Sequence, residues 1–155
     1  MEREVDAYCG PRVRLVEVEH ATLALNDAMP EAKSPNGAAR ILQQFIAGKD
    51  RECLMTIHLD ARHRALSVEV VSIGTLTMAP VHPREVFKAA ILSNAAAIII
   101  GHNHPSGDIE PSPEDEAVLE RLHEAGKVIG IPLLDFLIVS GSDHWSARET
   151  FRWPS

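Results

Sequence analysis

Apolar and polar residues alternate along several segments of the chain with the two-residue period of a β-strand. In RECLMTIHLD the side chains at positions 52, 54, 56 and 58 share one face, and those at positions 53, 55, 57 and 59 share the other. A turn at Asp60–Arg64 joins this strand to a second alternating segment, so we expect a hairpin. The predicted strands are Pro11–His20, Glu52–Leu59, Ala65–Ile73, Ala95–Ile100, Ile131–Ser140 and a short segment at Trp145–Arg148.

Apolar residues recur at helical spacing in three other segments. The predicted helices are Ser34–Ala47, ended by Gly48, then His82–Asn94 and Glu114–Gly126. A Pro- and Asn-containing connector, Asn26–Asn36, precedes the first of them. This order of strands and helices predicts an α/β fold. A length of 155 residues with 45% hydrophobic content is sufficient for one domain with a substantial core.

Several classes of protein are excluded by what the sequence does not contain. Its longest apolar run, Ala95–Ile100, is far too short to cross a bilayer, and MEREVDAYCG has neither the charged nor the apolar region of a signal peptide. Cys9 and Cys53 form no Cys-x-x-Cys pair and no disulfide framework. We therefore expect a cytoplasmic protein without a membrane partner.

The pattern with the most chemical content follows the apolar run. His102 and His104 lie two residues apart, so that in extended backbone both imidazoles can converge on one ion. Pro-Ser-Gly then turns the chain, and Ser112 begins a helical turn that can bring the carboxylate of Asp115 to the same ion. Two nitrogens and one carboxylate oxygen, with a fourth position left to water, are typical of catalytic zinc, whereas structural zinc usually has four protein ligands rich in cysteine.

An interpretation without metal remains open for the same residues. Histidines at strand ends are often ordinary polar termini. Ser112 as N-cap, Pro113 at the first helical position and Asp115 form a capping box, which needs no metal. The two interpretations are compatible, since one helix start can be both capped and metal-binding.

The run VHPREVFKAAILSNAAAIIIGHNHPSGDIEPSPEDEAVLERL resembles the JAB/MPN+ (JAMM) metalloprotease fold in its bacterial RadC-like branch. The signature of that family is an upstream glutamate, then His-x-His, seven residues, Ser, two residues and Asp. Here Pro105–Pro111 supply the seven residues and Pro113-Glu114 the two. The resemblance implies a cytidine-deaminase-like mixed central sheet flanked by about three helices. It covers residues 34–155 as one domain and leaves 1–33 as an N-terminal extension that can add a strand.

The resemblance also implies a role for each residue of the signature. His102, His104 and Asp115 would hold Zn²⁺, and Ser112 would donate a hydrogen bond to the oxyanion of the tetrahedral intermediate. The general base would come from the first core strand, where Glu52 is our candidate. Glu85 is a weaker candidate, because an acid in the first turn of a helix is expected on dipole grounds alone.

Other residues near the motif have less specific interpretations. His58, His63 and His82 are expected to have surface or capping roles, with His82 capping its helix. Asp135 is a candidate for a contact to a ligand histidine. Phe136 departs from the resemblance, since many relatives carry histidine there.

The function that the resemblance implies is a zinc-dependent hydrolase, a metallopeptidase or isopeptidase acting on a protein or peptide. The alternative is a catalytically idle interaction module of the same fold, attached to a DNA-repair-associated complex. Direct nucleic-acid binding is not expected, because the formal charge is −7 and the only basic cluster is Arg62-His63-Arg64. The sequence indicates neither the substrate nor the oligomeric state.

Overall fold

In a computed structural model the chain is described over residues 31–46, 49–74 and 81–155. These residues form three helices and five strands. In chain order the elements are α1 (Pro35–Ile46), β1 (Cys53–Leu59), β2 (Ala65–Ile73), α2 (Pro83–Leu92), β3 (Ala97–His102), α3 (Pro113–Ile129), β4 (Leu133–Ser140) and β5 (Asp143–Ser146). The predicted strand Pro11–His20, residues 26–30 of the predicted connector and all but the last three residues of the N-terminal extension lie outside the described residues.

The strands form one mixed sheet in the order β2-β1-β3-β4-β5. Only β3 and β4 are parallel, because α3 crosses over between them, and the other neighbours are antiparallel. The predicted hairpin is confirmed as β1 and β2. The α/β fold with a mixed sheet and three helices is therefore confirmed.

Both faces of the sheet are covered, which explains why every residue of β1 and β3 is buried. One face packs with α1 through a cluster that includes Leu42, Met55 and Ile57. The other face packs with α2 and α3 through a cluster that includes Leu54 and Phe136. The two faces predicted for the first core strand are thus the two core layers of the domain.

Several predicted boundaries differ from the structure by a few residues; for example, β3 is Ala97–His102 rather than Ala95–Ile100, and β5 is Asp143–Ser146 rather than Trp145–Arg148. We expected the third helix to end at Gly126, but α3 continues to Ile129 and ends at Gly130, whose φ of 81° is left-handed. Gly126 is a packing residue instead, since a Cβ there would lie 2.8 Å from the carbonyl oxygen of Ile131. Glu52 lies just before β1 rather than opening it.

Candidate metal centre

The register between β1 and β3 brings distant parts of the chain together. Leu54 pairs with His102 in this antiparallel ladder, so the start of β1 and the end of β3 lie at the same edge of the sheet. Glu52 precedes Leu54 by two residues, and extended backbone repeats its side-chain direction every two residues. Glu52 therefore lies on the same side of the sheet as His102.

The start of α3 brings the aspartate to this edge. Ser112 is the N-cap, and its hydroxyl accepts a hydrogen bond from the backbone N–H of Asp115 at 3.2 Å. In return, the backbone N–H and the hydroxyl of Ser112 each donate to Oδ2 of Asp115 at 2.8 Å. The predicted capping box is confirmed, and it fixes an Asp115 side chain that is 1% exposed.

Four ligand atoms converge where these elements meet. Nε2 of His102 lies 3.0 Å from Nε2 of His104 and 3.1 Å from Oδ1 of Asp115. Nε2 of His104 lies 3.4 Å from Oδ2 of Asp115, and Oε1 of Glu52 is 3.8 Å from Nε2 of His102. One ligand atom from each of the four residues lies within 4.8 Å of the others. The residues that the signature singles out are brought together in space.

The donor set fits a divalent metal ion. Tetrahedral zinc with bonds of about 2.0–2.1 Å holds its ligand atoms about 3.3 Å apart, close to the separations between His102, His104 and Asp115. Oδ1 of Asp115 is buried and lies 3.1 Å from Nε2 of His102, which itself lies 3.0 Å from Nε2 of His104. One N–H of His102 cannot serve both of these neighbours well, whereas a cation between the carboxylate and the two imidazoles can.

The electrostatics of Asp115 favour its ionised form. Burial alone raises the pKa of this carboxyl, but the His102 ring and the two hydrogen bonds from Ser112 outweigh burial and hold the pKa well below its usual range. Asp115 is therefore a carboxylate at neutral pH, as a metal ligand must be.

The two histidines differ in what their second ring nitrogens contact. Nδ1 of His104 lies 2.9 Å from the carbonyl oxygen of Asp108, the kind of partner that fixes the tautomer of a ligand histidine. Nδ1 of His102 is buried and has no hydrogen-bond partner in the described part of the chain. The ring of Phe136 packs against His102 instead.

The predicted contact between Asp135 and a ligand histidine is wrong. Its carboxylate accepts hydrogen bonds from the hydroxyl of Ser146 at 2.7 Å and from the backbone N–H of Phe136 at 2.8 Å. Successive residues of a strand point to opposite faces, and Phe136 occupies the face of His102. Asp135 therefore points away from the metal centre.

The other residues that the sequence offered as site candidates lie outside the Glu-His-His-Asp group. Glu85 forms ion pairs with Arg84 and Lys88 on the first turn of α2, and the hydrogen bond from Lys88 is the main cause of its lowered pKa. Its interpretation as a first-turn acid is confirmed. His63 lies in the β1–β2 turn with a φ of 60°.

Two histidine expectations are corrected. His82 is the N-cap of α2, but its side chain makes no capping hydrogen bond, so the helix start depends on Pro83 and backbone contacts. His58 is fully buried rather than on the surface, with Nδ1 2.8 Å from the hydroxyl of Ser67. Its strand, β1, lies between β2 and β3 and is covered on both faces, which a short alternating pattern alone does not reveal.

Sequence reasoning missed Asn103. It treated this residue as the spacer of His-x-His, yet the side chain is 4% exposed and hydrogen-bonded to backbone on both sides of Glu52. The available signal was an amide at the buried end of an apolar strand, where a polar side chain needs partners.

A cleft of about 220 Å³ opens beside His104. It is lined by Lys49 after α1, by the turn between β4 and β5, and by the turn that follows His104. A substrate that approaches the metal centre from this side would contact these segments.

A mixed sheet covered on both faces, with a partly buried Glu-His-His-Asp group at its edge, is typical of a JAB-type domain with a candidate metal site. The family model of the RadC-like JAB domain matches residues 32–152. The chain therefore belongs to the RadC-like JAB domain family.

Individual relatives agree with this assignment. The UPF0758 protein of Desulforudis audaxviator is 44% identical over 119 residues, which are 77% of this chain and 52% of that protein. The UPF0758 protein of Rubrobacter xylanophilus is 42% identical over 128 residues, 83% of this chain and 56% of that protein. The chain spans about half the length of the curated relatives it matches. Within the ranges that the structure describes, no helix is long and apolar enough to cross a membrane.

Proposed function

We propose that this domain is a zinc-dependent hydrolase that cleaves amide bonds in a protein or peptide, as a metallopeptidase or isopeptidase. The observation that carries the proposal is the convergence of His102, His104 and Asp115 on one point, with the Glu52 carboxylate beside it. His102, His104 and Asp115 would hold the ion. When bound, zinc supplies Lewis acidity to the scissile carbonyl and lowers the pKa of a coordinated water.

Glu52 acts as general base. Its Oε1 is 3.8 Å from Nε2 of His102, farther than the separations among the three ligands, and its side chain remains 16% exposed. It is therefore close enough to take a proton from the attacking water and open enough to pass that proton to the leaving amine. Removing such a base typically lowers the rate by about a hundredfold to ten-thousandfold.

Ser112 donates to the oxyanion that forms on the substrate. Its hydroxyl now donates to Oδ2 of Asp115, so the hydroxyl hydrogen must rotate toward the substrate. Asp115 keeps the hydrogen bond from the backbone N–H of Ser112 during this rotation, and the carboxylate therefore stays in place.

A second function is an idle interaction module of the same fold. The closed capping box favours it, because helix capping accounts for both Ser112 and Asp115 without chemistry. The contact of Oδ1 of Asp115 with Nε2 of His102 at 3.1 Å favours the hydrolase, because the cap uses only Oδ2 of that carboxylate.

The net charge disfavours one class of substrate. A formal charge of −7 disfavours nucleic-acid phosphates as the main ligand, whereas the ion would give the centre its own local positive charge. A polypeptide carbonyl needs no basic surface around it.

The test combines metal analysis with a library of peptides and isopeptides. Wild type is expected to bind about one zinc per chain and to hydrolyse members of the library. Glu52→Gln should keep the zinc and lose hydrolysis, while Glu85→Gln, which changes an exposed acid on α2, should keep both. Zinc binding without hydrolysis of any member would favour the idle module. Equal turnover by wild type and Glu52→Gln would exclude Glu52 as the base.

A further inference from the structure

The side chain of Asn103 connects the metal-binding segment to the backbone around Glu52. Its Oδ1 accepts a hydrogen bond from the backbone N–H of Cys53 at 2.8 Å, and its Nδ2 donates to the carbonyl oxygen of Arg51 at 3.1 Å. These two backbone groups lie immediately before and after Glu52. Both polar atoms of this buried amide are thus hydrogen-bonded to one three-residue segment.

The Asn103 side chain forms its hydrogen bonds at the point where the β1–β3 ladder ends. The last pair of the β1–β3 ladder is Leu54 with His102, and in the same register Cys53 would come next to Asn103. There the side chain of Asn103, rather than its backbone, binds Cys53. From the other side, the backbone N–H of Gly74 donates to the carbonyl oxygen of Glu52 at 2.9 Å. The segment 51–53 is therefore held between β2 and β3 although it belongs to no ladder pair with β3.

The position of Asn103 in the chain gives this contact its significance. Its backbone lies between those of His102 and His104, so its amide links the backbone that carries the two imidazoles to the backbone on either side of Glu52. A general base must lie within hydrogen-bond reach of the proton it takes, and a misplacement of about 1 Å can lower a rate on the order of a hundredfold.

We propose that Asn103 is a positioning residue that holds the Glu52 carboxylate at a fixed place relative to the metal ligands. This inference depends on the proposed function, in which Glu52 is the general base. Asn103 also lines the cleft beside His104, but the role proposed for it acts through its hydrogen bonds to the backbone of residues 51 and 53.

Two substitutions separate the two hydrogen bonds. Asn103→Asp keeps an acceptor for the N–H of Cys53 but has no donor for the carbonyl oxygen of Arg51. Asn103→Ala removes both hydrogen bonds. Ser146→Ala is a matched control, because it also removes a buried side-chain hydrogen bond, to Asp135, on the face away from the metal centre.

The first measurement is amide hydrogen exchange, which requires no substrate. The Cys53 amide should lose protection in Asn103→Ala and keep it in Asn103→Asp and in Ser146→Ala. Zinc stoichiometry should stay at wild-type level in all three, because the ligands are unchanged. Wild-type protection of Cys53 in Asn103→Ala would overturn the inference, whatever the catalytic results.

The second measurement is steady-state kinetics on a substrate of the wild-type protein. Asn103→Ala should lower kcat on the order of a hundredfold with little change in KM, and Asn103→Asp should fall between it and wild type. Ser146→Ala should keep wild-type kcat. A kcat for Asn103→Ala equal to that of wild type overturns the inference while leaving the hydrolase intact. A wild-type protein without activity counts against the hydrolase, and the exchange data then still decide whether Asn103 fixes the segment.

Discussion

The ring of Phe136 packs edge-on against the ring of His102, with 5.4 Å between the ring centroids. Phe136 has no acceptor for Nδ1 of His102, which is buried without a hydrogen-bond partner among the residues described. Ligand histidines usually donate this second N–H to an acceptor, and losing the acceptor typically lowers metal affinity by about ten- to hundredfold. We therefore expect the candidate site to bind a metal ion more weakly than the same ligands would with an acceptor at this nitrogen.

An acceptor at position 136 should strengthen metal binding. We expect Phe136→His to raise zinc affinity by roughly tenfold, because its ring can accept from Nδ1 of His102. Phe136→Leu is the control, since it changes the packing without adding an acceptor. Competition with a chromophoric chelator measures both affinities. A zinc affinity of Phe136→His no higher than that of Phe136→Leu would show that the missing acceptor is unimportant.

His104→Ala should abolish the binding of one zinc per chain. It removes one of the three convergent ligands and leaves two, fewer than the three protein ligands of catalytic zinc sites. Elemental analysis of the purified variant measures the stoichiometry. His82→Ala, at the start of α2 and outside the ligand group, should keep full occupancy. Full zinc occupancy of His104→Ala would contradict the ligand assignment.

Asp60 should contribute to stability in a pH-dependent way. The backbone N–H of Arg64 is the main cause of a pKa lowered from 3.8 to about 2, and the Arg64 guanidinium adds to it. A lowered folded-state pKa gives stability that is complete above the unfolded pKa and is lost as pH falls through the folded one. Wild type should therefore exceed Asp60→Asn in free energy of unfolding at pH 6, and the difference should shrink between pH 4 and pH 2. Denaturant titrations at each pH measure it, and a pH-independent difference would refute the linkage.

The convergence of His102, His104 and Asp115 could be predicted from the sequence because the signature is local. His102, His104, Ser112 and Asp115 fall within one strand, one turn and one helix start, where spacing alone determines which side chains meet. Glu52 required the resemblance to a family, since nothing in a single strand shows which other strand pairs with it.

The contacts that the sequence could not predict depend on the register between neighbouring strands. Asp135 and Phe136 are adjacent, and only the pairing of β3 with β4 decides which of them faces His102. The role of Asn103 likewise depends on where the β1–β3 ladder ends. The predicted end of the third helix was wrong for a similar reason. The sequence alone does not show which of Gly126 and Gly130 ends the helix, because the packing around each glycine decides it.

The last prediction separates Ser112 as a cap from Ser112 as a chemical group. Glycine at an N-cap costs only a few tenths of a kcal/mol relative to serine, whereas alanine costs about 1 kcal/mol. Loss of an oxyanion donor costs about 3 kcal/mol in the transition state, roughly a hundredfold or more in rate. Ser112→Gly should therefore stay close to wild type in thermal stability and zinc content while losing most hydrolysis, and Ser112→Thr, which keeps a hydroxyl, should retain more activity. Thermal denaturation, metal analysis and kcat measure the three properties. If Ser112→Gly hydrolyses substrate as fast as wild type, the serine is only a cap, and the oxyanion must be stabilised by the ion or by a backbone N–H of the turn after His104.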